Sequence, residues 1–378
     1  MNQRKFLTLS AAAVVLLGAG IWLSASRHQA ELGGGSVFPD LKPALGEVEE
    51  IRLSKGDGSR TTLRRDANGW TVVERRYPAD SSRVRELVMN LVAMKVIEHK
   101  TNDPANYSKL GVEAPDSPTA ASTLLEVVAG KKTWSLIVGK GAEGRALYVR
   151  KPGAASSELV APTVVADPDQ KRWLDRLIVD LPGANVHDIS VRPASGPAYL
   201  LTRARRGDAS LALSPVPKGR TPASDMAVSA PADALVAFNF DDVRTLPAAA
   251  AAPTDRATFR TFDGEVLAVS GRREDQKAFV TLSASHDAAL AAKFAAAPAA
   301  APATAPAAGP NATPAPASAA KPAAQPAVDV ERLEARTQGV EYEIPAYKYE
   351  AIFKPQEELL EKKPEAPAAK KTLPTKKP

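Results

Sequence analysis

The 378-residue chain has no cysteine, which excludes disulfides, thiolate nucleophiles, iron–sulfur clusters, cysteine-ligated zinc and lipoprotein acylation. Hydrophobic residues make up 44% of it, enough for a packed core, and the length points to about two domains at the usual ~150 residues each. The net charge of +6 does not mark a nucleic-acid binder: residues Leu359 to Pro378 hold six lysines against two glutamates, and without them the body is close to neutral and lacks interleaved basic and aromatic residues.

Arg4 and Lys5 precede an uncharged run from Phe6 to Leu23, near the ~20 residues that cross a bilayer as a helix. Trp22 suits the headgroup level, and Arg27 and His28 follow in water. The basic residues keep positions 1–5 cytoplasmic and the body outside. The expectation is a single-pass anchor over residues 6–24 in a bacterial inner membrane, with a periplasmic body. A cleaved signal peptide is the rival reading, with Ser24-Ala25-Ser26 as small residues for cleavage, but the apolar run exceeds a typical h-region of ~7–15 residues. Residues 25–46, with Gly33-Gly34-Gly35, read as a flexible linker.

From there one pattern occurs twice, predicting a first unit over 47–184 and a second over 185–290, completed by 329–358. Val48-x-x-Ile51-x-Leu53 alternates as a half-buried strand, and Val186-x-x-Ile189-x-Val191 repeats it. In the same register Thr61-Thr-Leu63-Arg-Arg65 matches Tyr199-Leu-Leu201-Thr-Arg203, and Trp70-x-Val72 matches Leu211-x-Leu213 after a three-residue shift. Val84, Leu87, Val88, Leu91 and Met94 fall at helical spacing behind Asp80 or Ser81 as N-cap; Ala232 to Phe240 is the shorter counterpart. Alternating strands then close each copy: 123–128, 133–138 and 146–150 in the first, 257–262 and 265–269 in the second. The order β-β-β-α-β-β-β, twice, implies duplication and an α+β fold of two similar antiparallel-sheet units, each with a helix on one face.

Asp167-Pro168-Asp169-Gln170 reads as a helix start, with Trp173, Leu174, Leu177, Ile178 and Leu181 as its apolar face. From Ala291 to Val328, twenty of thirty-eight residues are alanine and eight are proline. Proline at that density breaks the helix that alanine favours, so this segment reads as a disordered insertion looping out of a domain rather than a spacer bridging envelope layers. Val340 to Ile344 and Tyr347 to Leu360 read again as structured. The lysine-rich 359–378 reads as a disordered tail.

Several local motifs then carry a resemblance: Asn68-Gly69-Trp70-Thr71-Val72, Tyr77-Pro78-Ala79-Asp80, Asn106-Tyr107-Ser108-Lys109-Leu110-Gly111-Val112, and Leu136-Ile137-Val138-Gly139-Lys140 leading to Ala146-Leu147-Tyr148-Val149-Arg150. With these the chain resembles the bacterial domain of unknown function 4340 family, most clearly from Val48 to Leu181. The resemblance implies an accessory envelope component, of a kind often encoded beside an ABC-type transporter, and carries over no catalytic residue. The Ala/Pro insertion departs from the family pattern.

No catalytic, cofactor-binding or metal site is expected. Gly139-x-Gly141-x-x-Gly144 has dinucleotide-binding spacing, but it opens onto the alternating strand Arg145 to Arg150 rather than a helix N-terminus. His28, His99, His187 and His286 lack the spacing of zinc ligands. Asp57-Gly58 and Asn68-Gly69 read as hairpin turns. Glu49-Glu50 and Asp241-Asp242 are adjacent, so on a strand they face opposite sides. Tyr77, Trp134 and Tyr148 read as packing residues, with a ligand groove as the alternative. The expected function is that of a non-enzymatic, membrane-anchored periplasmic accessory protein docking to an ABC-type transporter or related envelope complex; the alternative is a binding module for cell-wall glycan, which an exposed aromatic row would favour. The expected partners are the inner membrane and a transporter permease or auxiliary envelope protein, with no nucleic acid and no small-molecule ligand.

Overall fold

The computed structural model describes residues 34–248, 250–295 and 328–361, and the chain divides into two compact units at Asp175/Arg176. The first unit runs β1 (Val48–Ser54), β2 (Arg60–Asp66), β3 (Gly69–Val72), β4 (Tyr77–Pro78), α1 (Ser81–Ala93), β5 (Lys95–Thr101), α2 (Tyr107–Leu110), β6 (Thr123–Ala129), β7 (Lys132–Ala142), β8 (Ala146–Arg150) and β9 (Ser157–Ala161). These strands form one nine-stranded sheet in the order β4-β3-β2-β1-β6-β7-β8-β9-β5. Every pairing in it is antiparallel.

The spacing Val48-x-x-Ile51-x-Leu53 has a local cause. A register shift between Val48 and Glu50 against β6 marks a bulge. The extra residue lets Val48 and Ile51 both face inward although they are three apart, and both are buried with Leu53. Leu63, Val72, Leu125 and Val127 meet them on the same face of the sheet. Helix α1 buries Val84, Leu87, Val88 and Leu91 and is capped by Asp80, whose carboxylate accepts from the Ser82 and Arg83 amides.

The second unit contains β10 (Leu177–Val179), β11 (Val186–Arg192), β12 (Tyr199–Thr202), β13 (Ala212–Ser214), α3 (Asp225–Ser229), β14 (Phe238–Asn239), β15 (Asp242–Thr245), β16 (Asp255–Thr261), β17 (Glu265–Glu274), β18 (Lys277–His286), α4 (Ala288–Ala295), α5 (Val330–Thr337), β19 (Val340–Ile344) and α6 (Ala346–Ile352). Its main sheet has the order β13-β12-β11-β16-β17-β18-β19-β15. Strand for strand this is the order β3-β2-β1-β6-β7-β8-β9-β5 of the first unit. The bulge recurs too, between Val186 and Asp188 against β16.

The correspondence reaches both ends of each unit. At the start, the Val37 amide donates to the Met94 carbonyl, and the Leu181 amide to that of Leu235. At the close, the Asp80 amide donates to Trp173 and the Asp175 amide to Pro78; the Ala223 amide donates to Leu359 and the Glu361 amide to Thr221. Isolated bridges Ala79↔Leu174 and Pro222↔Leu360 seal the same junctions. One side-chain bond agrees as well: the Thr61 hydroxyl donates to the Pro168 carbonyl, as the Tyr199 hydroxyl donates to that of Lys354. Arg65 and Arg203 both reach back to the 3-10 turn before the first long strand, at the Gly46 and Gly183 carbonyls.

Several expectations need correction. The described body is mostly β-sheet rather than α+β. Only α1 exceeds eight residues among the described helices, and the second unit has the five-residue α3 followed by a 3-10 segment, Ala230–Leu235, in place of a helix at 232–240. Pro231 removes the amide that would continue α3. No helix of the described residues is long and apolar enough to cross a membrane, so the transmembrane part of the expected fold is unsupported; residues 6–24 lie outside the described residues. The helix expected from Asp167 to Leu181 is a 3-10 turn, Gln170–Trp173, followed by β10. Pairing of Leu177 and Val179 with β14 claims that stretch for a sheet.

The linker expected over 25–46 joins the core from Ser36 onward, with Val37, Phe38 and Leu41 buried. A Cβ on Gly34 would fall 1.5 Å from the Val96 carbonyl oxygen, so this glycine serves close backbone approach rather than flexibility. Leu359 and Leu360, expected in the tail, are buried instead; 362–378 lie outside the described residues. Of the Ala/Pro segment, residues 291–295 belong to α4 and Val328 is buried; 296–327 lie outside the described residues. The chain comes back through α5 to β19, which pairs with both β18 and β15.

Candidate functional site

The residues singled out for chemistry are dispersed, and most are occupied. His99 is exposed on β5, 3.6 Å from Glu158. The His187 Nδ1 lies 2.8 Å from Asp188 Oδ2, whose other oxygen accepts from Arg260 at 2.8 Å; Phe262 and Phe294 flank the imidazole. His286 meets the Asp263 carbonyl, and His28 lies outside the described residues. No group of three or more potential metal ligands exists among the described residues.

Glu50 sits between two cations, 2.6 Å from Arg52 Nε and 2.9 Å from Arg64 Nη2. Partial burial pushes its carboxyl up, but hydrogen bonds from Arg64 and then Arg52 outweigh that and hold it below the ordinary range. Asp57 closes its turn by accepting from the Ser59 amide. Tyr77 is buried, and Tyr148 packs on the cluster of Tyr107, Val112 and Ile137. Among the described aromatic residues only Tyr347 is exposed, at 66%, so they form no exposed aromatic row.

Two of the local motifs of the first unit, Asn106–Val112 and Leu136–Lys140 with Ala146–Arg150, converge on one clamp. Asp103 caps a short turn leading into α2, and Gly111 ends α2 with φ 68°. The Tyr107 hydroxyl donates to the Ala155 carbonyl, while the Arg150 guanidinium lies 4.5 Å over the Tyr107 ring and its Nε donates to the Val112 carbonyl. Lys140 donates to the Lys109 carbonyl at the end of α2. A Cβ on Gly139 would fall 2.5 Å from the Leu110 carbonyl oxygen and 2.7 Å from Val112 Cγ1. That glycine is therefore a packing requirement, which disposes of the phosphate-loop reading. The clamp holds the loop 102–112 against β7 and β8.

What remains open in the first unit is a groove of about 470 Å³ between α1 and the segment after β9, lined by Arg83, Glu86, Asn90, Val165, Arg172 and Trp173, among others. Its helical wall follows from α1: Arg83, Glu86, Leu87 and Asn90 recur at three- and four-residue spacing. Opposite, the chain has neither helix nor strand from 162 to 167, and the Asn90 amide side chain donates to the Thr163 carbonyl at 3.2 Å. Trp173, buried, donates from Nε1 to the Asp167 carbonyl. Both arginine side chains are about half exposed, at 48% and 47%. Arg83 reaches Asp80 and the Arg172 carbonyl; Arg172 has Asp167 only at 3.9 Å. Sequence reasoning missed this groove because its walls come from segments some eighty residues apart and because 170–173 reads as helix.

A family model matches residues 70–260, and the chain belongs to that family, the Domain of unknown function (DUF4340). No curated protein and no solved structure matches the chain.

Proposed function

We propose that this chain is a non-enzymatic accessory protein of the bacterial envelope, held at the outer face of the inner membrane through its N-terminal run and docking to an ABC-type transporter or a related envelope complex. The observation that carries the docking reading is the open groove of the first unit, edged by half-exposed arginines. Location is supported by the uncharged run Phe6 to Leu23 behind Arg4 and Lys5. The wall-glycan alternative draws no support from the aromatic residues, which are nearly all covered.

Affinity purification of the full-length protein from detergent-solubilised membranes tests this reading. Transporter subunits are expected to co-purify in fixed ratio. Recovery of the protein alone, or with wall fragments only, counts against it. Protease treatment of spheroplasts tests location: the body is expected to be digested while the protein fractionates with membranes, and an intact body would place it on the wrong side.

A further inference from the structure

The connection between the second and third strands differs between the two units. In the first, residues 67–68 join β2 to β3, and Arg65 is exposed, reaching the Gly46 carbonyl at 3.4 Å. In the second, residues 203–211 join β12 to β13, and the corresponding Arg203 is only 5% exposed. This longer loop, α3 and the 3-10 turns Gly183–Asn185 and Ala230–Leu235 line a pocket of about 640 Å³.

Charge is divided within that pocket. Arg203 Nη1 donates to the Gly183 and Val186 carbonyls at 2.7 and 2.9 Å, while its buried Nε meets no acceptor. No carboxylate of the described residues pairs with this guanidinium, so a buried cation lacks the counter-charge that burial calls for. Yet three exposed carboxylates, Asp208, Asp225 and Asp233, line the same pocket. Asp208 accepts from the Arg205 amide at 2.9 Å; the side chains of Asp225 and Asp233 have no donor among the described residues. Asp233 lies against the turn that Arg203 grips, since a Cβ on Gly183 would fall 2.1 Å from its Oδ1. The other walls are small, as at Ala209 and Ala232, with Met226 82% exposed beside them.

We infer that this pocket binds a short zwitterionic peptide of small residues, its terminal carboxylate on Arg203 and its ammonium group towards Asp225 and Asp233. With Nη1 held by carbonyls, Nη2 is the group left to take the carboxylate in a charge-assisted bond. An anion alone meets the repulsion of the aspartates, and a cation alone meets that of Arg203; a ligand carrying both charges is opposed by neither. A pocket of this size suits a small ligand. The site belongs to the second unit and goes beyond the docking reading, on which it does not rest.

Isothermal titration of the full-length protein in detergent tests the assignment. Alanyl-alanine is expected to bind saturably at a single site. N-acetyl-alanyl-alanine lacks the ammonium and alanyl-alanine amide lacks the carboxylate; each is expected to bind roughly tenfold more weakly or worse. Asp225 and Asp233 are exposed and can be changed without opening the core, so D225N with D233N is expected to lose the preference for the free over the acetylated peptide. R65Q, at the counterpart in the first unit, is expected to leave binding as it is. No saturable binding of alanyl-alanine, equal binding of either capped peptide, an unchanged preference in D225N with D233N, or loss of binding in R65Q would overturn the assignment.

Discussion

At the scale of single residues, the side chains that most resembled chemistry are engaged in structure. Glu341, which the sequence did not single out, is engaged most densely. Its side chain is 2% exposed and accepts two bonds from Arg272, each 2.9 Å, and one from Arg244 Nε at 2.9 Å. These contacts join β15, β17 and β19, and hydrogen bonding to Glu341, against the opposing effect of burial, lifts the Arg272 guanidinium above its usual value. Without Glu341 the buried Arg272 keeps only Glu274, at 2.6 Å, as its carboxylate partner, so Glu341→Ala is expected to cost about 2–4 kcal/mol in urea unfolding, at or below the range for breaking a buried pair. A loss below about 1 kcal/mol would mean the network is solvated. Asp80 makes a prediction about pH. Burial pushes its carboxyl up, but hydrogen bonds from the Ser82 side chain and from the Arg83 and Ser82 amides prevail and hold it below the ordinary value. In acid the unfolded chain therefore binds the proton more readily than the native one. The stability that Asp80 supplies is full above the unfolded value of about 3.9 and is lost as pH falls through the lower native value. Asp80→Ala is expected to cost about 1 kcal/mol at pH 7, and Asp80→Asn should show a smaller drop in stability between neutral and acid pH than the wild type. Equal acid sensitivity in both proteins would exclude this carboxylate as the source.

At the scale of elements, short-range patterns were legible where their partners lie close along the chain. The alternations of β1, β2, β6 and β8 and the α1 stripe, with Asp80 as its cap, were all readable. What misled was apolar sequence that two structures can use. Leu177-Ile178-Val179 fits a helical stripe after Trp173, yet its burial is completed by pairing with Phe238 and Asn239, some sixty residues on. Strands β5 and β15 were missed because edge strands exposed on one side show weak alternation: β5 reads Lys95-Val-Ile-Glu-His-Lys-Thr101 and buries no residue. Gly139 illustrates the opposite error, a motif whose glycine is real but whose reason is packing. Gly139→Ala is expected to cost roughly 1–3 kcal/mol through overpacking against Leu110 and Val112, with hydrogen exchange in 102–112 rising most. Unchanged exchange there would show that the loop is held by other means.

At the scale of the molecule, each unit carries its own lead-in pairing, sheet and closing bridge. Residues 34–175 are therefore expected to fold alone, with one cooperative urea transition, whereas stopping at 161 removes Trp173, Leu174 and the Pro168 carbonyl that Thr61 meets and should abolish it. A disordered 34–175 fragment would show that the repeat is not the folding unit. The groove was not legible in the sequence, since its walls come from segments some eighty residues apart and 170–173 reads as helix. The account as a whole turns on whether that groove is where a partner sits. The direct measurement is photocrosslinking in intact cells from a probe residue placed at Val165, with Lys100 on the edge strand β5 as control. Crosslinks from Val165 to a transporter subunit, lost on R83E with R172E and absent from Lys100, are the predicted result; the same products from both positions, or none from Val165 while the protein remains folded and in the membrane, would contradict it.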